Sequence, residues 1–163
     1  VPDHPSELKY QPIVYNPPQP ADYRTELASG MVVYIVEDRL LPTLDLSARI
    51  RVGSLYEPPG KEGLAAMAGA VMRTGGTKNI SADDLDERIA FLGARLSTSI
   101  RTTSGSASLS ILMKDADEGL KLLADVLMNP AFEESKIELY RDQALHDLKT
   151  RNDSPRSPPV RLR

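Results

Sequence analysis

Proline placement sets the first limit on this fold. Six of the 13 prolines lie in the first 20 residues (Pro2, Pro5, Pro12, Pro17, Pro18 and Pro20), and Pro155, Pro158 and Pro159 lie close to the end. Proline lacks a backbone N–H and restrains its preceding neighbour, so such stretches sustain neither helices nor central strands. Residues 1–22 therefore read as an extended arm, with Tyr10, Ile13, Val14 and Tyr15 available to pack on a surface. Residues 154–163 read as a tail and a candidate cut end. The chain also begins at Val1 rather than Met, so an upstream portion is expected. The folded domain is expected between these ends, over residues 23–153.

In that middle the apolar period switches between two and 3.6. Val32 to Glu37 reads as a buried strand after a turn at Gly30. Leu44, Leu46, Ala48, Ile50 and Val52 alternate, the period of a half-buried strand. A turn-rich loop, 53–60, precedes a helix over Lys61–Arg73 with Leu64, Met67, Ala68, Val71 and Met72 on its apolar face. Ser81 with Asp84 resembles a capping box, and Leu85, Ile89 and Leu92 then share a helix face closed by Gly93. Two alternating runs follow, with apolar sets Ala94, Leu96, Ile100 and Ala107, Leu109, Ile111, Met113. The short link Thr102–Gly105 predicts an antiparallel hairpin between them. Asp115 caps a further helix with Leu120, Leu123, Ala124 and Leu127 as its stripe, ended by Asn129-Pro130. The last helix is expected from about Glu133 to Arg151, with Ile137, Tyr140, Ala144, Leu145 and Leu148 inward. The sum is an α+β domain, a mixed or mostly antiparallel sheet backed by helices on one face.

Composition removes whole classes of chemistry. There is no cysteine, so disulfides, thiolate metal sites and cysteine nucleophiles are excluded. His4 and His146 are the two histidines and stand at opposite ends, too few for a zinc site built mainly from imidazoles. The net charge of −3 argues against nucleic-acid binding. No run of about 18 apolar residues predicts a membrane span.

The run GSLYEPPGKEGLAAMAGAVMRTGGT, Gly53 to Thr77, resembles the signature region of the M16 peptidases, the pitrilysin, insulinase and mitochondrial-processing-peptidase family. ISADDLDERIAFLGARLSTSI is similar to the family's second helix and strand, and DEGLKLLADVLMNPAFEESKIELYRDQALHDLKTRNDSP to its long later helices. The resemblance covers roughly residues 23–155 and identifies the chain as most of an N-terminal domain of that fold, incomplete at its end.

Active members carry HxxEH on the helix after a GLA loop. Its two histidines lie one turn apart and bind zinc, and its Glu acts as general base toward the metal-bound water. The resemblance places these positions on Ala66, Gly69 and Ala70, none of which binds a metal or moves a proton. The family's third-ligand position falls near Asp147, with His146 adjacent; a solvated helix face is the plainer account of both. One carboxylate does not hold a catalytic zinc. No catalytic or metal residue is therefore expected, and no cofactor in this chain, with zinc confined to an active partner.

The resemblance thus implies a catalytically silent subunit or domain, inactive alone, that positions an unfolded peptide beside an HxxEH-bearing partner in the same or another chain. The alternative is a structural or assembly subunit without proteolytic work, and a weaker third is a free-standing peptide-binding module. If the strand Ala94–Ile100 lies at the sheet edge, Arg95, Ser97 and Ser99 are the candidate peptide-binding residues, against the plainer reading of a solvated face. The compartment is open; a periplasmic or otherwise exported setting is favoured, and a mitochondrial one also fits.

Asp83, Asp84, Asp86 and Glu87 are read as favouring a helix N-terminus rather than binding a cation. Ala65, Ala66, Ala68, Gly69 and Ala70 either line a chamber or mark tight helix-to-sheet packing, the second being favoured. Gly69 costs a helix interior about 1 kcal/mol relative to Ala, which indicates a local requirement.

Overall fold

The computed structural model describes residues 15–150. His4, Tyr10, Ile13, Val14, Arg151 and the tail lie outside the described residues. The chain divides between Leu41 and Pro42 into two compact units.

In the first unit a 3-10 turn, Pro20–Tyr23, leads into strand β1 (Arg24–Glu26), which pairs antiparallel with β2 (Val32–Tyr34). The link is closed by Leu27 N–H donating to the Met31 carbonyl at 2.9 Å, with Gly30 in the turn as expected. The expected buried strand over Val32–Glu37 is corrected. The strand has three residues, and Val32, Ile35 and Val36 are exposed, Ile35 at 67%. The physical reason is that an apolar run signals burial only where a layer covers it, and a two-stranded ribbon supplies none. Tyr15 is likewise exposed.

The second unit carries strand β3 (Thr43–Ile50), helices α1 (Leu64–Thr74) and α2 (Ala82–Phe91), strands β4 (Arg95–Ile100) and β5 (Gly105–Leu112), and helices α3 (Ala116–Met128) and α4 (Glu134–Thr150). Its sheet has the order β3-β5-β4, antiparallel throughout, so among the described residues β5 is central and β4 is an outer strand. The register sets Leu46, Leu109 and Leu96 in one row and Asp45, Ser110 and Arg95 in the next. Side chains alternate across a strand, so one face is apolar and the other is a polar array of serines with Asp45, Arg49 and Arg95. Helices α2 and α3 bury Leu85, Ile89, Leu122, Leu123 and Val126 against the apolar face, with Leu96, Ala107, Leu109 and Ile111 from the sheet. The architecture is the expected α+β arrangement with helices on one face.

Several local signals act as read. Ser81 Oγ accepts from Asp84 N–H at 3.1 Å and starts α2. Asp84, one methylene shorter than Glu, accepts a hydrogen bond from the Ser81 hydroxyl at 2.6 Å in return. Gly93 adopts φ +58°, the left-handed conformation that ends a helix without a Cβ clash. The predicted hairpin is β4–β5.

Other expectations are corrected. Helix α1 starts at Leu64, not Lys61, because residues 61–63 form a turn, and Leu64 itself is exposed. Met113 is exposed because it opens a 3-10 turn (Met113–Asp115) instead of continuing β5. That turn runs straight into α3, so Asp115 makes no side-chain cap. Helix α3 is rotated from its expected stripe. Leu120 is exposed, and Ala116, Gly119, Leu122, Leu123 and Val126 face inward, since Gly119 lets the helix approach Ile111 and Leu109. Ile50 at the end of β3 is exposed. Helix α4 buries none of its residues: Ile137, Tyr140 and Ala144 are half-buried, while Leu145 and Leu148 are exposed.

Candidate functional site

The geometry that matters is the approach of α1 to β4. The loop before α1 folds back through Pro58-Pro59 and delivers the Glu57 carboxylate to the helix start. There it accepts from Ala65 N–H at 2.6 Å and Gly63 N–H at 3.1 Å. Those donors have no partner inside the helix, and a negative charge favours that end, so the contact is worth about 1 kcal/mol. Further along, Arg73 donates to the Leu96 carbonyl at 3.2 Å and pairs with Asp86, tying α1 to β4 and α2.

Between these anchors lie positions 66, 69 and 70. Ala66 is exposed, Ala70 half-buried and Gly69 buried. Thr98 Oγ1 donates to the Gly69 carbonyl at 2.7 Å. A Cβ placed on Gly69 would stand 2.3 Å from the Ile100 nitrogen and 2.8 Å from the Ser99 carbonyl carbon. Of the two accounts of the small residues, tight helix-to-strand packing holds at Gly69, and Ala66 faces outward.

The donor set does not fit a zinc ion of the HxxEH type. Two methyl groups and a hydrogen supply no ligand atom. Asp147 and His146 are both exposed on α4, and neighbouring residues on a helix diverge, so they do not converge on one ion. Among the described residues, no three His, Cys, Asp or Glu side chains form a metal-binding group.

Arg95, Ser97 and Ser99 are brought together on the exposed face of the outer strand β4. Ser97 and Ser108 hydroxyls lie 2.8 Å apart, and Ser99 and Ser106 hydroxyls 3.0 Å. Asp45, Ser47, Arg95, Ser97, Ser108 and Ser110 line a shallow groove of about 450 Å³ on that face. The groove lining offers hydroxyl donors and acceptors, one cation and one carboxylate, with no nucleophile–base pair.

One polar cluster has no counterpart in the sequence analysis. Asp125 at the end of α3 accepts from the buried Thr77 hydroxyl at 2.6 Å, from Asn79 Nδ2 at 2.6 Å and from Asn129 Nδ2 at 2.9 Å. Thr77 Oγ1 in turn accepts from Asn79 N–H and Ile80 N–H, at 3.1 and 3.0 Å. The hydrogen bond from Thr77, followed by that from Asn129, holds the Asp125 carboxyl below its ordinary value of 3.8. The cluster clasps the loop after α1 to the end of α3, beside the Thr77–Pro130 bridge. The only hint in sequence is the pairing of a TKN loop with the D-x-x-x-N end of α3, which has no periodicity to mark it.

Comparison with known proteins agrees with this fold. The family model described as Insulinase (Peptidase family M16) matches residues 33–161. The cytochrome b-c1 complex subunit 1, mitochondrial, of Bos taurus is 29% identical over 132 residues, which is 81% of this chain and 27% of that protein. An uncharacterized zinc protease of Rickettsia bellii is 24% identical over 131 residues, 80% of this chain and 32% of that one. The crystal structure of a peptidase M16 inactive domain from Pseudomonas fluorescens superposes with a TM-score of 0.74 at 25% identity, covering 81% of this chain and 32% of that one. A protease from Helicobacter pylori shares the fold at a TM-score of 0.65 and 21% identity. The chain thus spans about a quarter to a third of the length of these relatives.

Proposed function

The chain belongs to the insulinase-type peptidase family M16, and from that premise we propose that it is a catalytically silent domain which binds and positions an unfolded peptide beside an HxxEH-bearing partner. One observation carries the reading. The helix that the resemblance matches to the motif is present and anchored at both ends, yet the positions the resemblance assigns to the zinc ligands and general base carry Ala66, Gly69 and Ala70. A fold kept intact around a vacated motif supplies binding geometry, and orientation alone lowers a barrier substantially. The exposed polar face of β4, with Arg95, Ser97 and Ser99 lining a shallow groove, is where such a peptide would make its contacts. Zinc belongs to the partner in this scheme, and this chain needs no cofactor.

The second reading is a structural or assembly subunit with no part in proteolysis. It is favoured by the resemblance to subunit 1 of the mitochondrial cytochrome b-c1 complex. The two separate on reconstitution of the full-length protein with an HxxEH-bearing partner, followed by cleavage of an unfolded peptide. Cleavage is expected to need both chains. A partner whose activity is undiminished alone rules out the peptide-positioning role, and a stable complex with that result favours assembly.

A further inference from the structure

We infer that the metal site of this scaffold is lost at the backbone and not only at three side chains: α1 has closed onto β4 at Gly69 to a separation that excludes any side chain, so the helix has no room for a general base there. It takes from the silent-domain reading only the identity of positions 66, 69 and 70.

The obstruction is main chain. The atoms met by a Cβ on Gly69 are the Ile100 nitrogen at 2.3 Å and the Ser99 carbonyl carbon at 2.8 Å. Neither swings aside as a side-chain end would. The approach is also held from both directions. Thr98 Oγ1 bonds the Gly69 carbonyl at 2.7 Å, and Arg73 one turn further on bonds the Leu96 carbonyl at 3.2 Å. Both bonds shorten the α1–β4 separation along a strand whose other side is fixed to β5. Position 66, by contrast, is exposed and accepts a larger side chain without moving the sheet. Loss of the histidines is therefore a change of side chains, whereas the glycine at the Glu position is a change of packing. A glutamate at 69 requires α1 and β4 to part, breaking the Thr98 contact.

Helix propensity and packing predict opposite signs at this position, which makes the inference testable with one methyl group. Alanine is the better helix former, so propensity alone predicts that Gly69→Ala raises the thermal midpoint. Overpacking against backbone predicts a fall of about 5 °C or more. Gly119→Ala in α3 is the control. Its Cβ would meet Ile111 Cδ1 at 2.7 Å, the far end of a flexible side chain, and its midpoint is expected to stay within about 2 °C of the parent. Thermal unfolding of the full-length parent, Gly69→Ala and the triple variant Ala66→His/Gly69→Glu/Ala70→His, with and without zinc, gives the result. The expected outcome is a lowered midpoint or loss of folding for Gly69→Ala, and a triple variant that zinc does not restore. A Gly69→Ala midpoint at or above the parent's, or a triple variant as stable as the parent, overturns the inference. Neither outcome depends on peptide cleavage, so this test and the reconstitution assay fail separately.

Discussion

Leu109→Ala is expected to destabilise the second unit by about 3 kcal/mol, read as a lower urea midpoint at unchanged slope. Leu109 is 2% exposed and sits on the central strand β5, in register with Leu46 on β3 and Leu96 on β4. Above it α3 comes close at Gly119, where an added Cβ would stand 3.2 Å from Leu109 Cδ2. The sheet row fixes Leu109 from both sides and the helix from above, so the void left by alanine has little means of collapsing. Domains of this size hold about 5–15 kcal/mol in total, so this loss is a large share. Leu148→Ala on α4 serves as contrast, because Leu148 is exposed and the change is expected to stay within about 0.5 kcal/mol.

Asp125→Ala is expected to cost about 2 to 3 kcal/mol. It removes the acceptor of three side-chain hydrogen bonds, from Thr77, Asn79 and Asn129. Thr77 is 5% exposed, and its hydroxyl keeps its two backbone donors but loses the group that takes its proton. Asp125→Asn keeps the shape and removes the charge, and is expected to fall between parent and alanine variant. The pH dependence has a definite sign. The carboxyl titrates lower in the folded state than its ordinary 3.8, so the unfolded chain binds the proton first. The stabilisation is complete above about pH 4 to 5 and is lost as pH falls through the depressed folded value. Chemical denaturation across that window should show the gap between parent and Asp125→Asn closing toward acid. A gap constant from pH 7 to pH 2 would assign the cost to shape and not to charge.

Elements with a local signature were legible. The cap at Ser81, the stripe Leu85–Ile89–Leu92 and the Gly93 terminus identify α2 from end to end. The two alternating runs around Thr102–Gly105 identify the β4–β5 hairpin. Properties set by neighbours in space were not. Val32–Glu37 has the composition of a buried strand, yet it forms one three-residue strand of a two-stranded ribbon with Val32, Ile35 and Val36 exposed. In α3 two apolar stripes compete, one through Leu120 and one through Gly119, and close approach to Ile111 selects the second. Thr77 and Asp125 stand 48 residues apart, so their bond has no period or spacing by which to be read. At the candidate site the resemblance names positions 66, 69 and 70, while the closeness of Gly69 to the Ile100 backbone, where an added Cβ would stand 2.3 Å from the nitrogen, is set by the folded chain.

The central claim is that this chain keeps the M16 scaffold without the means to hold its metal. Zinc retention tests it most directly: incubation of the full-length protein with excess zinc, removal of free metal by desalting, and metal analysis per chain. With Ala66, Gly69 and Ala70 at the motif positions, retained zinc is expected to be far below one ion per chain and unchanged by Asp147→Ala. One tightly held zinc per chain, in a full-length protein that carries no HxxEH motif elsewhere in its sequence, would contradict the account.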